Sequence, residues 1–403
     1  MNESLLNKLK MVRARDIGHV FLFLLALLPA LVYRRLRPHL WLVCESGAEA
    51  RDNGYWFFKY LREQRPEIDA VYAIDPKSRE YARVAALGET VAFGSFRHWI
   101  LYLAAEVNIS SQKYGKPNAA VCYVLEVVLG WLKNRRVFLQ HGVIKDDLPF
   151  LHEEKARFWL FACGAEPEYR FVRDSFGYGE GVVRYLGLCR FDALHGLDTD
   201  EELILILPTW RMYLQRGGDR ESFCNSEYYR SWSALLRDGA LSELLARENR
   251  RAVFVLHREM EAFEDLFGSE AENIRVLRWQ EADITALIHS AALLITDYSS
   301  VYMDFAYMKK PVLYYQFDYE RFRSGHLPKG YFEYERDGFG PVCPTEEELL
   351  AQLARSLRGG TKMDEVYQRR VERFYVLHDA KNSERTARAI EEKLAQEKAR
   401  SAK

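Results

Sequence analysis

The densest group of chemically able side chains in the sequence is Thr296-Asp297-Tyr298-Ser299-Ser300, with Asp304 shortly after it. Leu293 to Ile295 reads as a buried strand ending in a tight turn. Val301 to Met308 has helical apolar spacing until Lys309-Lys310-Pro311 stops it. Paired serines at a helix N-terminus set hydroxyl donors beside unpaired backbone N–H groups and the positive end of the helix dipole, which suits a phosphate. Asp304 lies one turn beyond Ser300 on the same face and could orient a hydroxyl or accept one from a ligand. Plain N-capping by Asp297 or Ser299 accounts for the same residues, so the choice rests on the rest of the chain.

Three further groups follow apolar runs. Val137 to Gln140 reads as a strand delivering His141-Gly142. A histidine titrates near neutrality and suits a general base, and glycine lets a ligand approach the backbone; a hydrogen-bonded structural histidine is the other reading. Lys145 and Asp146-Asp147 follow at once, as a charged pocket or a solvated loop. Leu203 to Leu207 feeds Pro208-Thr209-Trp210-Arg211, and Ala252 to Leu256 feeds His257-Arg258. Parallel strands would put Thr209 with Arg211, His257 with Arg258, and Ser299 with Ser300 on one sheet edge. That predicts an anion site whose strongest part is the charge-assisted bonding of Arg211. Glu45, Arg51, Asp52, Asn53 and Gly54 also follow a strand, and for them ligand contact and ordinary loop polarity stand level.

Holding these groups in place requires strands and helices in alternation, and the sequence supplies it twice. Leu40–Cys44, Ala70–Ile74, Thr90–Phe93, Ala104–Ile109, Val137–Gln140, Trp159–Cys163 and Val182–Leu186 read as strands of a first half. Leu203–Leu207, Ala252–Leu256, Ile274–Leu277, Ala292–Thr296 and Val312–Tyr315 read as strands of a second. Such alternation predicts parallel sheets covered by helices. The boundaries fall at residues 1–38, a basic and apolar segment, then 39–195, 196–375, and a C-terminal helix over 376–403. Asp198-Thr199-Asp200 resembles a metal-binding D-x-D but precedes a strand, as a polar linker does. Thr345 with Glu348 forms a capping box for a helix to Arg358, and the tail from Ser383 should pack through Ala387, Ile390 and Leu394.

The balance of 57 basic against 58 acidic residues, net charge -1, gives no global signal for nucleic acid. The six cysteines have no C-x-x-C and no histidine at zinc spacing, so they read as reduced core residues and no metal is expected. At the N-terminus, Lys8, Lys10, Arg13 and Arg15 precede the apolar run Val20–Val32, and Arg34, Arg35 and Arg37 follow it. Interrupted by Pro29, that run is short of the roughly 20 residues a spanning helix needs, so it should lie in the interface of an anionic membrane. A signal peptide lacks its cleavage site here, and a buried core helix leaves the basic flanks unexplained.

In this order, Gln140-His141-Gly142, Pro208-Thr209-Trp210-Arg211 and Thr296-Asp297-Tyr298-Ser299-Ser300-Val301-x-x-Asp304 resemble the CDP-glycerol glycerophosphotransferase family, the teichoic-acid and capsule polyolphosphate polymerases and primases. Trp41 to Tyr60 is similar as well, and the resemblance runs over residues 39 to 390. It implies a GT-B fold, two Rossmann-like halves facing a cleft, the first for the acceptor and the second for the CDP-linked donor. It implies transfer of glycerol phosphate from CDP-glycerol, with release of CMP, to a hydroxyl of a polyol-phosphate or lipid-linked saccharide acceptor on the cytoplasmic membrane face. By motif, His141 matches the general base with Gly142 beside it, and His257 a second histidine on the pyrophosphate. Thr209, Arg211, Asp297, Ser299, Ser300 and Asp304 match donor-binding positions. No cofactor is implied beyond the donor itself. The family's His-Gly-Thr-Pro stands here as His141-Gly142-Val143-Ile144, a departure on the acceptor side. A CDP-ribitol transferase or a nucleotide-sugar glycosyltransferase could use the same cradle. A non-catalytic membrane scaffold could keep the fold, but would be expected to lose some of these residues.

Overall fold

Short strands buried on both faces are what a helix-covered parallel sheet requires, and every residue of Trp41–Cys44, Ala70–Ile74 and Leu160–Cys163 is buried. The computed structural model describes residues 14–215, 219–325 and 328–401. The first sheet contains β1 (Trp41–Cys44), β2 (Ala70–Ile74), β3 (Thr90–Ala92), β4 (Val107–Ser110), β5 (Arg136–Phe138), β6 (Leu160–Cys163) and β7 (Val183–Tyr185). The second contains β8 (Asp200–Ile206), β9 (Arg251–Val255), β10 (Ile274–Leu277), β11 (Ala291–Thr296), β12 (Val312–Tyr315) and β13 (Val342–Cys343). Their orders are β3-β2-β1-β4-β5-β6-β7 and β10-β9-β8-β11-β12-β13, and the pairings are parallel. Each order reverses once, at β1/β4 and at β8/β11, and a crevice opens there outside the carboxyl ends of the strands.

The chain folds as two units. One comprises the residues up to Val143, Pro149–Ala193 and the chain from Asp379 onward; the other comprises Ile144–Leu148 and Leu194–His378. The helices needed below are α1 (Ala14–Leu36), α2 (Asn53–Gln64), α3 (Phe96–Ala104), α4 (Ala119–Tyr123, continued as a π-helical turn over Val124–Val128), α5 (Glu166–Ser175), α6 (Tyr302–Tyr307), α7 (Glu346–Arg358) and α8 (Asn382–Ser401). Thr345 caps α7 by accepting the Glu348 amide, as its spacing predicts. Helix α8 joins the core of the first unit through Ala387, Ala389, Ile390 and Leu394, alongside Trp41, Phe57 and Leu61.

The N-terminal helix corrects the run-length argument. Pro29 sits inside α1 without ending it, and Asp16–Leu36 is long and apolar enough to cross a bilayer by length and composition. One face is spoken for: Phe23, Ala26 and Ala30 are buried in a cluster with Trp99, Leu101 and Tyr102 of α3. The opposite face leaves Phe21 62%, Leu25 65%, Leu28 76% and Leu31 60% exposed. Of the basic flanks, Lys8, Lys10 and Arg13 lie outside the described residues. Arg37 is paired with Asp69 and Glu89, and Arg34 donates to the backbone carbonyls of Leu103 and Ala104. Arg35 is exposed.

Candidate active site

In the first unit the chemistry gathers at the β1/β4 reversal. The segment leaving β1 carries Glu45, whose carboxylate accepts the backbone amides of Arg51, Asp52 and Tyr55 at 3.0, 3.0 and 2.7 Å. Burial pushes the Glu45 carboxyl up to about 8, and the nearby Asp52 charge adds to it. Gly54 allows this close approach, since a Cβ there would sit 2.7 Å from Glu45 Cγ and 3.0 Å from the Cys44 carbonyl. The result is a rigid start to α2 that presents Asp52.

His141 arrives from β5 through a tight turn. The left-handed residue of that turn is Gln140, with φ of 67°, a conformation strained for a side chain of this kind. It is held from two sides: the Gln140 carbonyl accepts Asn53 Nδ2 at 2.8 Å, and its own Nε2 donates to Glu168 Oε1 on α5 at 2.8 Å. His141 Nδ1 then lies 2.7 Å from Asp52 Oδ2, with the Gln112 amide 3.0 Å from the same nitrogen. Arg190 donates from Nη1 to Asp52 Oδ1 at 3.1 Å and to the His141 carbonyl at 2.7 Å. Burial opposes ionisation of Asp52, but His141 and Arg190 hold its carboxyl below the usual carboxylate range. The Asp52 charge and hydrogen bond in turn raise the His141 pKa. With Nδ1 committed and the side chain 70% exposed, Nε2 is the nitrogen open to a substrate. Gly142 is half-exposed beside it. This is an oriented histidine–carboxylate pair able to take a proton from a hydroxyl.

The second unit builds its centre at the β8/β11 reversal. Asp297, leaving β11, accepts the Thr209 amide at 2.7 Å and the Tyr298 amide at 2.6 Å. Arg211 does not reach outward as the sequence reading expects. It is fully buried, its guanidinium 2.8 Å from Asp297, 2.8 and 3.0 Å from the two Asp318 oxygens, and 2.7 Å from the Thr209 carbonyl. Rings of Tyr228, Tyr298 and Phe322 surround it. Although burial opposes its charge, Asp297 and Asp318 raise its pKa. Arg211 and Asp297 therefore lock the β8 and β11 loops together instead of presenting a cation and an acceptor at the surface.

What these loops do present is the hydroxyls of the two serines. Thr209 is 9% exposed, and its Oγ1 is buried with no hydrogen-bond partner among the described residues. Ser300 is exposed and Ser299 half-buried. The helix behind them is shorter than expected: α6 has six residues, and its N-cap is Val301, not Asp297 or Ser299. Its first amides are spent in tight turns, Tyr302 to the Ser299 carbonyl, Met303 to Ser300 and Asp304 to Val301, while the Val301 amide points to Ser299 Oγ. The dipole and free amides of the sequence argument are thus largely absent, and the serine hydroxyls carry the anion-binding potential. Asp304 is buried, at 6% exposure. His257, at the carboxyl end of β9 next to β8, accepts the Glu259 amide on Nδ1 at 3.2 Å, which places the proton of a neutral ring on Nε2. Trp210 and Trp279 flank its ring.

Three contributors were not assigned roles from the sequence. Asp52 and Arg190 orient His141, and the position of Asp52 just after β1, at the order reversal, is the signal that could have ranked it. Lys145 is the third: its Nζ donates to the Tyr298 carbonyl at 3.0 Å, directly before the two serines. Burial pushes its ammonium below the ordinary lysine value against the pull of Asp146, which is itself paired with Arg323 at 2.7 Å.

The chain is similar to known proteins along most of its length. It is 29% identical over 397 residues to the minor teichoic acid biosynthesis protein GgaB of Bacillus subtilis, covering 94% of this chain and 41% of that protein. It is 26% identical over 376 residues to the teichoic acid poly(glycerol phosphate) polymerase of the same species, covering 86% of this chain and 47% of that one. The chain thus spans less than half the length of these curated relatives. Among solved structures, the wall teichoic acid polymerase TagF matches at TM-score 0.65 and 17% identity over 98% of this chain and 99% of that chain. A UDP-N-acetylglucosamine 2-epimerase from Listeria monocytogenes matches at 0.56 and 13% over 89% and 97%. These likenesses show a GT-B-type fold of two parallel α/β sheets. The profile described as CDP-Glycerol:Poly(glycerophosphate) glycerophosphotransferase matches residues 189–392, half of the sequence, and the chain belongs to that family.

Proposed function

We propose that this protein transfers glycerol phosphate from CDP-glycerol to a hydroxyl of a polyol-phosphate or lipid-linked saccharide acceptor, releasing CMP, in the synthesis of teichoic acid or a related cell-wall or capsular polymer. The observation that carries the reading is the exposed His141 held by Asp52 at the crevice of the first sheet. The acceptor hydroxyl attacks the phosphorus nearer the glycerol. An oxygen–phosphorus bond forms, the bond from that phosphorus to the bridging oxygen breaks, and CMP leaves with the electron pair. The acceptor proton passes to Nε2 of His141, and Asp52 stabilises the resulting imidazolium.

The charge spreading over the phosphates needs donors fixed in advance. Lys145, the Nε2–H of His257 and the hydroxyls of Ser299 and Ser300 fill that role, with Arg211, Asp297 and the buried Thr209 as their scaffold. A soak of TagF with CDPG supports this donor. Helix α1, with its outer face of exposed leucines, seats the protein on the cytoplasmic face of the membrane where lipid-linked acceptors lie. The test is CMP release from CDP-glycerol, with CDP-ribitol and nucleotide sugars as rival donors. Turnover of CDP-glycerol that falls about 10²–10⁴-fold in His141→Ala, with donor affinity kept, is expected. Near wild-type turnover in that variant, or preference for another donor, overturns the assignment.

A further inference from the structure

The first unit contains a second polar cavity, at the edge of the sheet opposite His141. It has a volume of about 430 Å³ and is lined by Arg34, Glu106, Lys133, Arg135, Trp159 and Glu397 among others. These residues precede β4, β5 and β6 or belong to the ends of α1 and α8. Its charges are unevenly matched. Glu106 is taken by His39 at 3.0 Å and Lys398 at 3.1 Å, and Glu397 by Arg135 at 2.7 Å and Trp159 Nε1 at 2.5 Å. Arg34 has only the carbonyls of Leu103 and Ala104, and Lys133 is exposed; neither makes an ion pair among the described residues. The cavity therefore holds two cations with no counter-ion.

Its surroundings are apolar and exposed on two elements. Arg34 lies between Val32, 60% exposed, and Leu36, 73% exposed, on α1. Lys133 lies two residues after Trp131, 72% exposed, in the loop that leaves the π-helical turn with its exposed Val128 and Leu129. That turn packs beside α1 through Leu125 and the buried face of α4. A cationic cavity bordered by exposed leucines and a tryptophan has the chemistry of a phospholipid binding site: headgroup phosphate inside, acyl chains along the apolar rim.

Resting on the membrane-seated reading above, we infer that this cavity binds the phosphate headgroup of an anionic phospholipid, with Arg34 and Lys133 as its cations. The full-length protein is titrated with dihexanoylphosphatidylglycerol below its micelle concentration, and separately with phosphatidylglycerol and phosphatidylcholine vesicles. Expected are saturable one-to-one binding of the short-chain lipid and tighter binding to phosphatidylglycerol vesicles. Lys133→Gln, and Lys133→Gln with Arg34→Gln, should weaken the short-chain complex about fivefold per cation removed. Arg35→Gln, an exposed cation of the same helix that does not line the cavity, should leave it unchanged. Equal losses in Arg35→Gln, no saturable binding, or glycerol phosphate alone binding as tightly as the lipid would each overturn the site. If vesicles bind without headgroup preference, the cavity assignment fails alone; if no vesicle binds at all, the membrane reading fails with it.

Discussion

Asp52→Asn separates an oriented base from a histidine that merely sits in an open loop. In the native protein Nδ1–H donates to Asp52 Oδ2 at 2.7 Å, and Arg190 donates to the other oxygen at 3.1 Å. In the variant the amide oxygen stays with Arg190 and the amide nitrogen turns its hydrogens toward His141. Nδ1 must then accept, the ring proton moves to Nε2, and the nitrogen facing the substrate can no longer take a proton. A hydrogen bond to a charged group contributes about 1.5–3 kcal/mol, so kcat should fall about 10- to 150-fold. The pH profile should move as well. Neutral His141 is the active form and Asp52 raises its pKa, so native activity rises through an acid limb above the ordinary histidine value, and Asp52→Asn should shift that limb to lower pH. CMP release measured from pH 5 to 9 reads both effects. Because Asp52 acts through His141, adding Asp52→Asn to His141→Ala should cost nothing further. Unchanged kcat with an unmoved acid limb, or full additivity of the two substitutions, would refute the pair.

Lys145→Gln should raise the Kd for CDP-glycerol and lower kcat, each about tenfold, with Tm held, as read by calorimetry beside the CMP assay. Ser299→Ala with Ser300→Ala should weaken donor binding by on the order of 1 kcal/mol per hydroxyl, and unchanged calorimetric affinity would remove the serines from the site. Arg211→Met should behave as a folding mutant: it leaves Asp297 and Asp318 buried without their cation, at a cost of about 3–5 kcal/mol, so thermal denaturation should show a lower Tm in a variant that an anion-binding role would leave stable. Leu25→Glu with Leu28→Glu should reduce flotation with vesicles while preserving Tm, whereas removing residues 1–38 should lower Tm, because it strips Phe23, Ala26 and Ala30 from the cluster around Trp99.

The strands were legible because doubly buried runs such as Ala70–Ile74 and Val312–Tyr315 keep their apolar character throughout, and the structure places them at those residues. His141, Thr209, His257 and the serines were legible as strand-end residues for the same reason. Partnership was not. Asp52 and His141 are 89 residues apart, and only the order reversal at β1/β4 brings them together. An arginine beside a threonine reads as a ligand cation until Asp297 and Asp318, from two other strand ends, claim it. Pro29 reads as a helix breaker, but α1 continues past it while packed on α3. The serine turn looked like a helix start because its spacing is helical; the tight turns ahead of Val301 consume the amides that the pattern leaves open.

The return of α8 to the first unit gives the chain an order of assembly opposite to its order of domains. The core around Trp41, Phe57 and Leu61 waits for Ala387, Ile390 and Leu394, which are synthesised only after all of Leu194–His378. Asp192 likewise waits for the amides of Asn382 and Ser383, which it accepts at 2.8 Å each. The second unit has its complete set of strands before the first can close, so the segment translated earlier is the one that stays open longer. An apolar groove beside β1 is exposed during that interval, and a nascent-chain probe placed there should remain accessible until α8 leaves the ribosome.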